Sequence, residues 1–140
     1  MKRLKWSKWS VLKTLDFGII PSLSGVYQIR WAIDGKPQLI HRANGDDEFG
    51  LLYMGETKNL RLRVRNFWDM VQKGSSVGSH TAGWTYAYYE FNKKFKPEQL
   101  EVRWAQSPED EMGEWEDVLL EDYVAKYLDK PPLNIQVPRH

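Results

Sequence analysis

The sequence predicts an α+β domain in which a small, mostly antiparallel β-sheet is flanked by helices. Two short runs rich in β-branched and aromatic residues, 26–33 and 51–55, end at glycine-containing turns and predict strands. Between residues 60 and 73 apolar side chains recur every three or four positions, which predicts a helix with one buried face. The order helix, strands, helix, strands, helix, joined by hairpin-length connections, favours an α+β architecture.

The first fifty residues predict a basic helical segment followed by a long hairpin. Residues 1–20 are lysine-rich and carry a loose helical apolar pattern, which stops at the turn residues that begin with Pro21. The strand 26–33 then leads into a polar stretch, 34–50, that suits a hairpin loop. A short strand at 36–40 is expected within this loop.

The middle of the chain predicts a loop and two further strands after the helix 60–73. Residues 75–83 are rich in glycine and serine and are expected to form a flexible loop that contains His80. The aromatic run 84–91 predicts a strand, because aromatic residues are enriched in strands. The run 100–105 predicts a shorter one.

An acidic helix is predicted near the end of the chain. Ser107, Pro108 and three following acids are helix-start signals, and two prolines after Lys130 are expected to stop the helix. We therefore expect one domain over residues 1–140, with its core between 24 and 135.

Composition excludes several classes of protein. The 140 residues include no cysteine, which excludes disulfides, thiolate catalysis and cysteine-ligated metals. No run of about 18 apolar residues could form a transmembrane helix, and the basic N-terminus lacks the apolar stretch of a secretory signal. We expect a cytoplasmic protein with no membrane partner.

The formal net charge of +1 hides a strong segregation of charge along the chain. Residues 1–105 contain 17 basic and 10 acidic side chains, whereas residues 106–140 contain 3 basic and 9 acidic ones. The basic part suits a polyanionic partner such as nucleic acid. A mixed and well-solvated surface is the alternative interpretation.

Several short motifs follow one another in a specific order. The first pair is Gly25-Val26-Tyr27 at the start of one predicted strand and Tyr53-Met54-Gly55 at the end of the next. Farther along come Thr57–Leu60 leading into Arg63, then Leu119-Leu120-Glu121, and finally Pro132-Leu133-Asn134. In this order the sequence resembles the GIY-YIG endonuclease superfamily, with a long first hairpin as in its restriction-enzyme branch.

The resemblance implies a metal-dependent endonuclease and assigns its catalytic residues. Glu121 is the expected ligand of one Mg²⁺ or Mn²⁺, since hydrated hard cations take carboxylate oxygens. Arg63 is expected to bind the phosphate, because a guanidinium matches phosphate oxygens in two places. Tyr27 and Tyr53 are expected to activate the water, with Tyr27 favoured as the base, and Asn134 to orient the site.

The same resemblance implies a nucleic-acid partner, most simply double-stranded or branched DNA, and leaves a homodimer open. The residues expected to contact nucleic acid lie near the second motif, on the following helix and in the next loop: Gly55, Thr57, Lys58, Arg61, Arg65 and His80. Phosphate contacts of this kind provide affinity without sequence specificity.

Two departures from the family pattern keep other functions open. Phe67 occupies the position one turn after Arg63 where many relatives carry Tyr or His, and His80 is the candidate replacement. Glu56 stands where relatives often carry Lys. A catalytically weak or inactive nucleic-acid-binding module is therefore the main alternative, and a protein-interaction domain is the third.

Overall fold

A computed structural model describes residues 3–74 and 80–135 and has the predicted α+β class. Three α-helices are present in these ranges: α1 (Leu60–Lys73), α2 (Thr81–Tyr88) and α3 (Glu109–Tyr127). The strands are β1 (Ser10–Val11), β2 (Gly25–Ile33), β3 (Lys36–Pro37), β4 (Ile40–His41), β5 (Asp46–Asp47), β6 (Leu51–Thr57) and β7 (Leu100–Gln106).

The main sheet is antiparallel and is built around β2. Strand β2 pairs with β7 on one side and with β6 on the other, while β1 extends the sheet beyond β7 and β3 folds back on the end of β2. Strands β4 and β5 form a separate two-stranded ribbon in the long hairpin. The predicted hairpin 34–50 is confirmed in outline. It contains three two-residue strands, β3, β4 and β5, where one short strand at 36–40 was predicted.

A β-bulge in β6 turns two consecutive side chains toward the same face of the sheet. Ile29 lies opposite Tyr53, but the next residue of β2, Arg30, lies opposite Leu51, so Leu52 is the extra residue. Both Leu52 and Tyr53 consequently pack into the cluster below α1, whereas Leu51 belongs to the cluster on the other face. Tyr27 and Tyr53 lie on the same side of the sheet because Tyr27 pairs with Gly55 and Ile29 with Tyr53 in the regular part of the ladder, before the bulge.

Helices cover both faces of the sheet. Helices α1 and α2 pack on one face, and the larger apolar cluster there includes Tyr27, Phe67 and Tyr86. Helix α3 packs on the other face through Tyr123 and Tyr127, which contact the sheet near Leu51. The edge of β6 away from β2 is covered by the chain end, where the Leu133 N–H donates to the Leu52 carbonyl.

The predicted N-terminal helix is wrong. Residues 3–9 have no regular structure, and the chain then forms β1 and a single 3₁₀ turn, Leu12–Thr14. The Ser7 N–H donates to the Trp104 carbonyl, and the Ser7 hydroxyl accepts from the Trp104 N–H. The free edge of β7 offers these hydrogen bonds, and tertiary pairing overrides the weak helical spacing.

The predicted aromatic strand at 84–91 is also wrong, because most of it is helix α2. His80 lies at the N-cap, so the predicted loop ends earlier than expected, and residues 75–79 lie outside the described residues. Ala82, Gly83 and Tyr86 are buried, and the helix packs against α1. A short apolar run does not distinguish a strand from a buried helix, and here the packing against α1 decides.

The other predicted elements are confirmed with small shifts. The strands at 51–55 and 100–105, the helix at 60–73 and the acidic helix are all present. Pro108 occupies the N-cap of α3 in place of Ser107, and the helix ends at Tyr127, three residues before Lys130. None of the helices in the described parts of the chain combines the length and apolarity needed to cross a membrane.

Candidate active site

Tyr27 is fully buried in the middle of the sheet and lies opposite Gly55 of β6. A Cβ atom added to Gly55 would lie 3.0 Å from the Tyr27 Oη, 3.0 Å from the Tyr53 Oη and 2.7 Å from the Tyr53 Cε2. The missing side chain at Gly55 therefore provides the space in which the two phenol groups meet. Their ring centroids are 5.9 Å apart.

His80 completes a buried polar group at the start of α2. Its Nδ1 accepts a hydrogen bond from the Gly83 N–H, and its Nε2 lies 2.5 Å from the Tyr27 Oη. Burial, followed by the charge of Arg63, lowers the pKa of His80 to about 3, so the ring is neutral. A neutral imidazole whose Nδ1 accepts must carry its proton on Nε2, and His80 therefore donates to Tyr27.

The direction of the next hydrogen bond follows from the first. The Tyr27 oxygen accepts from His80, so its own proton is free to bond to Tyr53. Hydrogen bonding between the two phenols raises the pKa of Tyr27 and lowers that of Tyr53, as expected if Tyr27 donates. Burial is the largest cause at both residues and raises the pKa of Tyr27 well above its usual value. Tyr53, which is half-buried, is thus the more accessible of the two acids.

Arg63 supplies positive charge to this group from helix α1. Its guanidinium lowers the pKa of Tyr27, Tyr53 and His80 by its charge. Among the carboxylates in residues 3–74 and 80–135, none forms an ion pair with Arg63. A half-buried cation without a carboxylate partner is available to an anionic ligand.

Tyr53 opens into a cleft of about 590 Å³ that runs between β6 and the surface of α3. The carboxylate in this cleft is Glu116, whose charge raises the pKa of Tyr53. The pKa of Glu116 is itself raised, first by burial and then by the charge of Glu56. Glu56 lies beside Gly113 on α3, where its Oε2 is 2.9 Å from the position of an added Cβ.

Glu121, the carboxylate predicted to bind metal, points elsewhere. It is exposed and borders an adjoining surface depression, which shares Leu120 and Lys130 with the cleft and does not include Tyr53. The helix turns its tyrosines toward the sheet, which brings Glu116 and not Glu121 to the cleft.

The oxygen donors fit a hard divalent cation, with Glu116 in the cleft and Glu56 next to it, outside the cleft lining. Two carboxylates, Glu116 and Glu56, repel each other, and the bound positive charge would relieve that repulsion. Mg²⁺ is usually held by one or two carboxylates and by water or phosphate oxygens. Groups of three or more His, Asp or Glu side chains suitable for a metal do not occur in the part of the chain that the structure describes.

Asn134 has a positional role next to Tyr53. Its Oδ1 accepts from the Met54 N–H and its Nδ2 donates to the Met54 carbonyl, both at 2.9 Å. The amide therefore pairs with β6 as another strand would. Its polar atoms are used in holding the chain end against the strand that carries Tyr53 and Gly55.

Among the residues predicted to contact nucleic acid, Arg61 and Thr57 form hydrogen bonds within the protein, whereas Lys58 and Arg65 are exposed. Arg61 donates to the carbonyls of Ile20 and Gly18, at 2.8 and 3.0 Å, so it is engaged within the protein. The Thr57 hydroxyl bonds to the backbone of Asn59 at the start of α1. Lys58 and Arg65 are exposed, and the guanidinium carbon of Arg65 lies 5.6 Å from the centroid of the Phe17 ring.

Sequence reasoning missed the two charged residues of the cleft, Glu116 and Lys130. A signal for Glu116 was available, since it precedes Leu119, Tyr123 and Tyr127 at helical spacing and so shares their face. No sequence signal pointed to Lys130. Phe67, the position that departs from the motif pattern, packs its ring edge-on against that of His80, with centroids 5.3 Å apart.

No protein-family model, curated protein or solved structure matches this chain. The resemblance to the GIY-YIG superfamily stays a prediction that depends on the motifs.

Proposed function

We propose that this protein is a divalent-metal-dependent endonuclease that hydrolyses phosphodiester bonds in nucleic acid, with DNA as the first candidate. The observation that carries the proposal is that Tyr53 and Glu116 line one cleft and that the positive charge of Arg63 acts on Tyr53. Tyr53 supplies an ionisable hydroxyl, Arg63 a guanidinium without a carboxylate partner among the described residues, and Glu116 a half-buried carboxylate. Phosphodiester hydrolysis needs a proton acceptor for water and positive charge on the phosphate.

Each residue has a defined task in this proposal. Arg63 binds the non-bridging phosphate oxygens and stabilises the charge that develops on them. Tyr53 first loses its proton to solvent and forms a phenolate. Water then attacks phosphorus and gives its proton to the phenolate oxygen, while the bond from phosphorus to the leaving oxygen breaks and that oxygen takes a proton from solvent. Tyr27 donates to Tyr53 and so stabilises the phenolate. This assigns the base to Tyr53, because Tyr27 is fully buried.

Glu116, with Glu56 beside it, would hold Mg²⁺ or Mn²⁺. When bound, this ion would supply positive charge to the scissile phosphate. We assign the metal to Glu116 in place of Glu121, since only Glu116 shares the cleft with Tyr53. Asn134 and His80 position Tyr53 and Tyr27 and are not themselves placed in contact with substrate.

One observation favours the alternative of a nucleic-acid-binding module without activity. Burial and the charges of Glu116 and Glu56 raise the pKa of Tyr53, which keeps the hydroxyl protonated at neutral pH. A protein limited in this way would bind nucleic acid in a salt-dependent manner and would not cut it. A protein-interaction domain would do neither.

Nicking of supercoiled plasmid in the presence of Mg²⁺ or Mn²⁺ tests the proposal. We expect cleavage by the wild type, none in chelator, and a loss of at least about 100-fold in Arg63→Ala. Lys73→Ala is the matched control, since it removes one positive charge from the far end of the same helix. Absence of cleavage by a folded wild type, or equal effects of the two substitutions, would contradict the proposal.

A further inference from the structure

Helix α2 and its C-cap residue, Tyr89, carry an array of three aromatic rings outside the cleft. The rings of Trp84 and Tyr88 are stacked, with centroids 4.7 Å apart and planes 10° from parallel. Tyr89 lies edge-on to both, at 6.0 Å from Trp84 and 5.0 Å from Tyr88. Tyr88 and Tyr89 are 55% and 46% exposed. Adjacent exposed aromatic side chains of this size usually mark a contact surface.

The aromatic rings on α2 begin about one helical turn after a residue that lines the proposed active site. Thr81, the first residue of α2, lines the cleft. Residues spaced three, four and seven apart lie on the same face of a helix, so Thr81, Trp84 and Tyr88 form one strip. At 1.5 Å per residue the strip extends about 10 Å from the cleft.

The chain after the strip is basic. Residues 90–96 contain three lysines and one glutamate, and all four side chains are exposed. Lys93 pairs with Glu90, with 2.8 Å between Nζ and Oε2. Lys94 and Lys96 add positive charge with no carboxylate of the described residues to neutralise it.

We propose that the aromatic strip on α2 binds the unpaired bases of a single-stranded nucleic-acid segment leading into the cleft. This inference rests on the proposed function and narrows its substrate class to nucleic acids with an unpaired stretch. Bases stack on aromatic rings whatever their sequence, and basic side chains contact the backbone between them. In a duplex both faces of each base are covered by neighbouring bases, so only an unpaired base can use Tyr88.

Fluorescence anisotropy in EDTA, where cleavage is suppressed, tests this inference. The probes are a labelled 12-nucleotide oligothymidylate and a 12-base-pair duplex. We expect Tyr88→Ala to weaken binding of the single strand about tenfold and binding of the duplex less than twofold. Tyr88→Trp should preserve binding because it keeps a stacking surface. Phe49→Ala is the matched control, since Phe49 is 63% exposed and lies beside Trp9 and Tyr127, away from the cleft.

The outcomes separate this inference from the nuclease proposal. The inference is overturned if Tyr88→Ala binds the single strand as tightly as the wild type, or if it loses affinity equally for both probes. It is also overturned if the wild type does not bind the single strand. A selective loss in Tyr88→Ala, with or without plasmid nicking in Mg²⁺, would support it. If the protein nicks plasmid but Tyr88→Ala shows no selective loss of single-strand binding, the nuclease proposal stands and the aromatic strip has no part in substrate binding.

Discussion

The Nε2 of His80 lies 2.5 Å from the hydroxyl oxygen of Tyr27, in a fully buried contact between the start of α2 and the centre of the sheet. This contact sets the direction of hydrogen bonding from His80 through Tyr27 to Tyr53. The N-cap residue of α2 therefore makes Tyr27 the hydrogen-bond donor to Tyr53. Tyr53, which lines the cleft, is left as the more readily ionised phenol. The consequences can be measured in stability as well as in activity.

His80 should make the protein less stable as the pH falls from 6.5 toward 3. Its pKa is about 3 in the folded protein and near 6.5 in the unfolded chain, so the unfolded state binds the extra proton in this range. The free energy of unfolding should then fall by up to about 1.4 kcal/mol per pH unit.

Urea unfolding at pH 7.5 and pH 4.5 measures this effect in His80→Asn. Asn preserves the N-cap acceptor but does not titrate, so the variant should lose less stability than the wild type between the two pH values. An equal pH dependence in the wild type and His80→Asn would show that His80 does not stay neutral in the fold.

Gly55 and Gly113 should respond to alanine in opposite ways. Alanine at 55 would push against both phenol groups, and we expect a loss of about 1–3 kcal/mol in stability together with loss of cleavage. Alanine at 113 would meet only the movable carboxylate of Glu56, and it should raise stability by about 0.5–1 kcal/mol through higher helix propensity. Thermal unfolding of both variants is the test. A Gly55→Ala protein as stable as Gly113→Ala would contradict the packing described for the two tyrosines.

Arg61 and Arg63, two residues apart on α1, should separate stability from activity. Arg61→Ala removes the hydrogen bonds to Ile20 and Gly18 and should cost about 1–2 kcal/mol, with plasmid nicking per folded molecule unchanged. Arg63→Ala should cost less stability than Arg61→Ala while cleavage is lost. Denaturant titration and nicking on the same preparations measure both effects. The reverse pattern would exclude Arg63 as the phosphate ligand.

Local motifs predicted the part of the site that lies on β2, β6 and α1. Tyr27, Tyr53 and Arg63 could be found because each follows directly from a strand or from a strand-to-helix turn. The bulge at Leu52, which turns Leu51 toward the face that α3 covers, left no such signal, because it depends on the register between β2 and β6.

The pattern on α3 contained a signal for Glu116 but did not decide between two faces of the helix. Glu121 flanks a stripe formed by Val118 and Val124, but the face that packs on the sheet is the one with Tyr123 and Tyr127. Both stripes have helical spacing, and tertiary packing decides between them. For the same reason the aromatic run after His80 forms a helix where its composition favours a strand.

The assignment of the metal to Glu116 is tested most directly by comparing Glu116→Gln with Glu121→Gln in Mg²⁺-dependent plasmid nicking. The two substitutions make the same chemical change on the same helix and differ only in the face that they alter. We expect Glu116→Gln to lose cleavage by at least about 100-fold and Glu121→Gln to cut at the wild-type rate. Loss of cleavage in Glu121→Gln with wild-type activity in Glu116→Gln would show that the metal does not bind at Glu116.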